Sequence, residues 1–129
     1  MKLVVAFVPA MLALVAAGTA VQSSAQQNAS AAGAQTFATC RACHTLGAGQ
    51  RSGLGPNLNG LFGRPAASLP GYNYSPALKK SGLRWDEKSL NAYLEAPSKL
   101  VPGTRMVIRV ADPAKRAALI QYLKAETAK

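Results

Sequence analysis

Two cysteines three positions apart with a histidine directly behind them, Cys40-Arg41-Ala42-Cys43-His44, constrain this chain more than any other stretch. Residues three and four apart in a helical turn share a face, so both thiols and the imidazole can turn toward one flat ligand. That is the arrangement c-type haem attachment requires. The thiols add across the two vinyl groups as thioethers, and the imidazole is left beneath the iron. A structural zinc site would need four ligands, and the chain has two cysteines and one histidine in all. A thioredoxin-like redox pair is expected near a βαβ pattern, and none is visible in the sequence.

Elimination narrows the sixth iron ligand. With His44 the only histidine, bis-histidine ligation within one chain is excluded. The methionines are Met1, Met11 and Met106, and the first two fall in a segment read below as removed. Met106 remains as the thioether, the ligand type that raises the potential of His/Met haems. A buried methionine is ordinarily a core filler, but Met106 follows the rigid turn Pro102-Gly103-Thr104-Arg105 rather than a periodic segment. Lysine is the residual competitor, and it would first have to lose its proton.

The chain opens with Met1-Lys2 and then fifteen apolar residues, Leu3 to Ala17. That run falls short of the ~20 residues a membrane span needs and matches the core of a secretory signal. Residues 1–25 are therefore expected to be a signal peptide, cleaved near Ala20 or Ala25, which places the mature protein in the periplasm. An uncleaved anchor is the alternative, but its tether, Val21 to about Ser30, is brief. Residues 26–129 then form one small domain of roughly 105 residues. Without Lys2 the fifteen Lys and Arg become fourteen against five acids, a net charge of +9. Such a balance favours acidic protein surfaces, nucleic acid or anionic lipid. The charges are scattered and no DNA-binding motif is present, so nucleic acid is not expected as a partner.

Along the chain, Gln22 to Ser30 reads as a flexible leader and Ala31 to Thr39 as a short helix with Gly33 and Phe37 on one side. Thr45 to Asn59 holds four glycines and a proline and no periodicity, so it is loop. Such a loop suits wrapping a planar object, and Pro56 is positioned to offer its carbonyl to the spare imidazole nitrogen of His44. Leu58, Leu61 and Phe62 are core candidates. Arg64, between glycine and proline, is either a solvated cation or the partner of a buried propionate, which guanidinium geometry suits. Ser75-Pro76 caps a helix running to Lys80. Asp86 caps another, with Leu90, Tyr93 and Leu94 inward and Pro97 ending it nearby. Ser98 to Val110 is expected to be irregular. Asp112-Pro113 opens a C-terminal helix of about twelve residues, with Leu119, Ile120, Tyr122 and Leu123 inward and Lys115, Arg116 and Lys124 outward.

The pentad, Gly55-Pro56-Asn57-Leu58, Gly60-Leu61-Phe62-Gly63-Arg64, Trp85, Tyr93-Leu94 and Pro102-Gly103-Thr104-Arg105-Met106 together resemble a class I cytochrome c. The resemblance covers the mature chain in order. It implies an all-α fold in which N- and C-terminal helices cross near Gly33, Phe37 and Tyr122 while loops enclose one covalently attached haem c. It implies iron ligation by His44 and Met106. Arg64, Tyr74, Trp85 and Thr104 match residues that hydrogen-bond or shield the propionates, and Tyr93 matches a hydroxyl near the methionine sulfur. Leu78 stands where the family commonly has asparagine, which implies a drier pocket.

The resemblance also implies a function: a soluble single-electron carrier, monomeric, shuttling between membrane complexes. The partners would be the acidic docking surfaces of a quinol-cytochrome c oxidoreductase, a terminal oxidase or a photosynthetic reaction centre. Arg41, Arg51, Lys99 and Arg105 match the basic haem-edge ring, with Lys80 and Lys115 adjacent and Ser98 in place of a lysine. Two alternatives differ in class: a peroxidase-like enzyme with Met106 displaced, which would lack a distal histidine, and a redox subunit permanently attached to a larger complex.

Overall fold

The computed structural model describes residues 16–128. Two helices, α1 (Ala16–Phe37) and α5 (Pro113–Thr127), form its frame and pack against each other. Their crossing is set by Gly33, where an added Cβ would stand 2.4 Å from both the Ala118 carbonyl oxygen and the Tyr122 Cβ. Only glycine lets two backbones approach so closely. Beside it the Phe37 and Tyr122 rings lie 5.7 Å apart, and Leu119 is fully buried. The helix crossing expected at Gly33, Phe37 and Tyr122 is the one observed.

Three shorter helices complete the frame: α2 (Pro76–Lys80), α3 (Glu87–Glu95) and α4 (Pro97–Leu100). The caps are those the sequence indicates. The Ser75 hydroxyl accepts from the Leu78 N–H, and Asp86 and Ser89 form a reciprocal capping box. The Asp112 carboxylate accepts from the Ala114 and Lys115 N–H groups, and these bonds hold its carboxyl below the usual range. No strand is present among the described residues; the segments 63–66 and 83–85 exchange backbone bonds around a single bridge between Pro65 and Arg84.

Several expectations need correction. The stretch from Gln22 to Ser30 is helical rather than a flexible leader, because α1 is continuous from Ala16 to Phe37 and ends two residues early. The segment between Val21 and Ala32 has neither proline nor glycine and is rich in Ala and Gln, which favour helix without needing a packed face. Residues 24–32 are accordingly exposed, and burial begins at Gly33. Ala20 and Ala25 lie within this helix, while most of the N-terminal apolar run lies outside the described residues. Pro97 follows the end of α3 but also starts α4, so the irregular stretch begins after Leu100. Helix α5 has 15 residues rather than about twelve.

Arg116 is the largest departure, being 5% exposed rather than outward. Its Nε donates to Asn91 Oδ1 at 2.8 Å, and Nη1 donates to the carbonyls of Val110 and Ala111 at 2.8 and 3.0 Å. Nη2 lies 3.7 Å from the Glu95 carboxylate. A guanidinium carries five donors in a fixed fork, so it satisfies carbonyls that irregular backbone leaves unpaired. This side chain joins α3, α5 and the chain segment that returns from Met106.

A Gly33→Ala substitution is expected to destabilise the protein by about 1–3 kcal/mol, the usual cost of overpacking, because both atoms it meets are held by α5. Denaturant unfolding of the two proteins measures it directly.

Candidate functional site

The pentad forms a single 3-10 turn, Cys40–Ala42, with the N–H groups of Cys43 and His44 both donating to the Cys40 carbonyl at 3.0 and 2.9 Å. Arg41 stacks its guanidinium 5.8 Å from the Phe37 ring centroid, which fixes the turn against the end of α1. Both thiols are free and half-buried. Burial pushes the Cys40 thiol up, with Cys43 adding to the effect.

The loop that follows is shaped by His44. Its Nδ1 donates to the Pro56 carbonyl at 2.7 Å, the partner expected from position. That bond selects the neutral tautomer in which Nε2 keeps its lone pair. Burial lowers the imidazole's pKa, outweighing the opposing bond to Pro56, so the ring is neutral at physiological pH. Gly55 is the counterpart of this geometry: a Cβ there would stand 2.4 Å from His44 Cε1. The Gly55 N–H also donates to the Cys43 carbonyl at 2.9 Å.

Asn57, which sequence reasoning gave no role beyond its place in a resemblance motif, knots the same loop. It is 6% exposed; its Nδ2 donates to Thr45 Oγ1 and the Gly47 carbonyl, and its Oδ1 accepts from the Asn59 N–H. A polar residue in a glycine-rich loop carries no periodicity, so only its two-residue spacing to Asn59, an Asx turn, could have pointed to it.

Farther along the chain, Pro102 and Gly103, the latter at φ +90°, turn the backbone before Met106. Thr104 is buried and its hydroxyl shares a 2.6 Å hydrogen bond with the Tyr93 hydroxyl. The resemblance assigned these two hydroxyls to different neighbours; here they meet each other. Burial raises the Tyr93 pKa despite that bond. The Tyr93 ring packs edge-on against Trp85 with centroids 5.1 Å apart. Arg64 donates from Nη1 to the Asn59 carbonyl at 2.9 Å and from Nη2 to the Asn57 carbonyl at 3.2 Å, which leaves three of its five N–H donors.

These pieces enclose one cavity of about 380 Å³. Cys40, Cys43, His44, Arg64, Tyr74, Trp85, Tyr93, Thr104 and Met106 all line it, so the nine residues singled out from sequence are brought together. Its walls are mainly apolar, with Leu61, Leu90, Leu94, Leu119 and Leu123 from the core and Leu78 among them. The charged residues on the lining are Arg64 and Arg105, and no acid joins them. An apolar cavity with two cations and no anion fits a flat hydrophobic ligand that carries carboxylates. A haem is such a ligand, and the two thiols and the free imidazole nitrogen are the groups it needs for covalent attachment and iron ligation. Of the cations assigned to docking, Arg105 lines the cavity, whereas Arg41, Arg51 and Lys99 are exposed residues outside its lining.

A Gly55→Ala substitution is expected to displace the His44 ring, since neither the ring nor the Pro56 carbonyl can move without losing their bond. The mature holoprotein should form in lower yield and with an altered absorption spectrum. An unchanged spectrum at full yield would contradict the tight packing of Gly55 on His44.

The family model for cytochrome c matches residues 30–126. The chain is 47% identical over 92 residues to the cytochrome c2 of Rhodomicrobium vannielii, covering 70% of this chain and 74% of that relative. It is 48% identical over 101 residues to the cytochrome c of Cannabis sativa, covering 77% and 91% respectively. Among solved structures it is similar to cytochrome cH from Methylobacterium extorquens, with a TM-score of 0.69 and 46% identity over 74% of this chain and 97% of that one. Nearly half of the aligned residues are thus shared in an all-α chain with the attachment pentad in place, and this protein belongs to the cytochrome c family, electron carriers whose c-type haem is bonded through the cysteines of that pentad, here Cys40 and Cys43.

Proposed function

We propose that the protein is a soluble one-electron carrier in the periplasm, with His44 and Met106 as the axial ligands of its iron. When bound, the haem supplies an Fe(III)/Fe(II) couple. The observation that carries the ligand assignment is the lining of one cavity by the only imidazole of the chain and by Met106, the one methionine among the described residues. The Nδ1 bond to Pro56 orients the imidazole and raises its basicity as a ligand. The thioether opposite would raise the potential.

The remaining residues act on charge and water. Arg64, held by two backbone carbonyls, offers its free donors to a propionate without having to reorganise. Tyr74, buried at 6% exposure, and Trp85, at 7%, close the same region from solvent, and the paired hydroxyls of Tyr93 and Thr104 leave one O–H free to donate. An apolar cavity lined on both sides by fixed groups suits electron transfer, which is fastest when little moves.

Arg41, Arg51 and Lys99, all exposed, are assigned to docking on the acidic faces of membrane redox complexes. Charges of this kind speed encounter and set orientation, and added salt screens them. The N-terminal residues 1–25 are read as the export signal, cleaved near Ala20 or Ala25.

The test is Met106→Ala. The midpoint potential should fall, the weak near-infrared sulfur-to-iron band of the oxidised protein should vanish, and small ligands should reach the iron. A variant that keeps the wild-type potential and ligand binding would show that another group holds the sixth position.

A further inference from the structure

Two long-range hydrogen bonds at the rim of the cavity converge on neighbouring residues. The Tyr72 hydroxyl donates to the Leu54 carbonyl at 2.5 Å. One residue on, the Asn73 carbonyl accepts from Arg105 Nη1 at 2.8 Å, a contact across 32 positions of sequence. Leu54 immediately precedes Gly55 and Pro56, the backbone that holds His44, and Arg105 immediately precedes Met106. All five of Leu54, Tyr72, Asn73, Arg105 and Met106 line the cavity.

From this convergence we propose that Tyr72 and Asn73 form a strap clasping the His44 wall of the cavity to the Met106 wall. Arg105 is then a positioning residue for Met106 rather than simply one of the docking cations. The inference rests on the assignment of Met106 as the sixth ligand.

The chain around Met106 explains why a catch is needed there. Before it, Thr104 is buried and bonded to Tyr93. After it, Val107 and Ile108 are 69% and 53% exposed, so burial does not hold them. The next backbone anchor is the Val110 N–H, which donates to the Leu94 carbonyl at 2.8 Å. Between these anchors Met106 packs against the core from a half-buried position, and the hydrogen bond of Arg105 ties the segment to another part of the molecule. The strap itself is stiffened by the Tyr72 ring, packed edge-on at 4.7 Å against buried Tyr74.

Because the two bonds act in series, releasing either one opens the clasp and releasing the second adds little. A docking cation behaves differently. Its loss would matter through charge alone, and Lys99→Gln would match Arg105→Gln.

The experiment measures imidazole binding to the oxidised, haem-loaded protein at about pH 8, where free imidazole is mostly the neutral base and the charge change neither repels nor attracts it. Arg105→Gln and Tyr72→Phe should each raise imidazole affinity about five-fold, the range set by one net hydrogen bond. The double variant should bind no more tightly than either single one, and Arg105→Lys and Lys99→Gln should resemble the wild type. The proposal is overturned if Arg105→Gln behaves as Lys99→Gln, or if the two single effects multiply. The near-infrared band of the wild type reports the Met106 assignment separately. Should that band be missing, the assignment fails, and the clasp is judged on amide hydrogen exchange at Thr104 and Val110. Faster exchange there in Arg105→Gln than in Lys99→Gln supports the clasp, and equal exchange refutes it.

Discussion

The site depends first on the 2.7 Å bond between His44 Nδ1 and the Pro56 carbonyl. It decides which imidazole nitrogen is free, and it can form only because Gly55 presents no side chain to the ring. The backbone then closes on the pentad through the Gly55 N–H bond to Cys43. Asn57 secures the far side of the same turn. Local geometry around one imidazole therefore dictates the path of the loop from Cys43 to Asn59, which in turn delivers the carbonyls that hold Arg64.

A second layer of organisation is electrostatic. The chain concentrates apolar surface on the cavity walls and places two arginines and no acid among them. Leu54, Val107 and Ile108, each more than half exposed, stand at the rim of the same cavity. The exposed residues of the lining thus include these apolar side chains together with one cation, Arg105.

Much of this was legible in the residues themselves. The pentad, the Ser75, Asp86 and Asp112 caps and the inward positions Leu90, Tyr93, Leu94, Leu119, Ile120 and Leu123 follow from spacing and side-chain chemistry, and the Pro56 carbonyl follows from its place after Gly55. Arg64 stood out as a charge between glycine and proline, and Met106 by elimination, as the thioether left once the single histidine and the N-terminal methionines were set aside. What was not legible depended on three-dimensional accounting of unpaired groups. Arg116 carries a charge on a helix whose pattern puts charges outward, yet the carbonyls of Val110 and Ala111 and the amide of Asn91 need its donors. Asn57 and Tyr72 likewise satisfy partners 10 and 18 positions away, which no local pattern encodes. The helical stretch of α1 before Gly33 has the opposite origin, because residues 24–32 are exposed and the segment from Val21 to Ala32 is rich in the helix formers Ala and Gln.

The central claim is that His44 and Met106 face each other across a covalently bound haem. Proton NMR of the reduced protein tests it most directly, because a methionine methyl held over the porphyrin face lies in the ring current. A three-proton resonance shifted far upfield of the ordinary methyl region, assigned to Met106, is the result the account predicts. A reduced, haem-loaded protein whose Met106 methyl resonates at an ordinary position would contradict it.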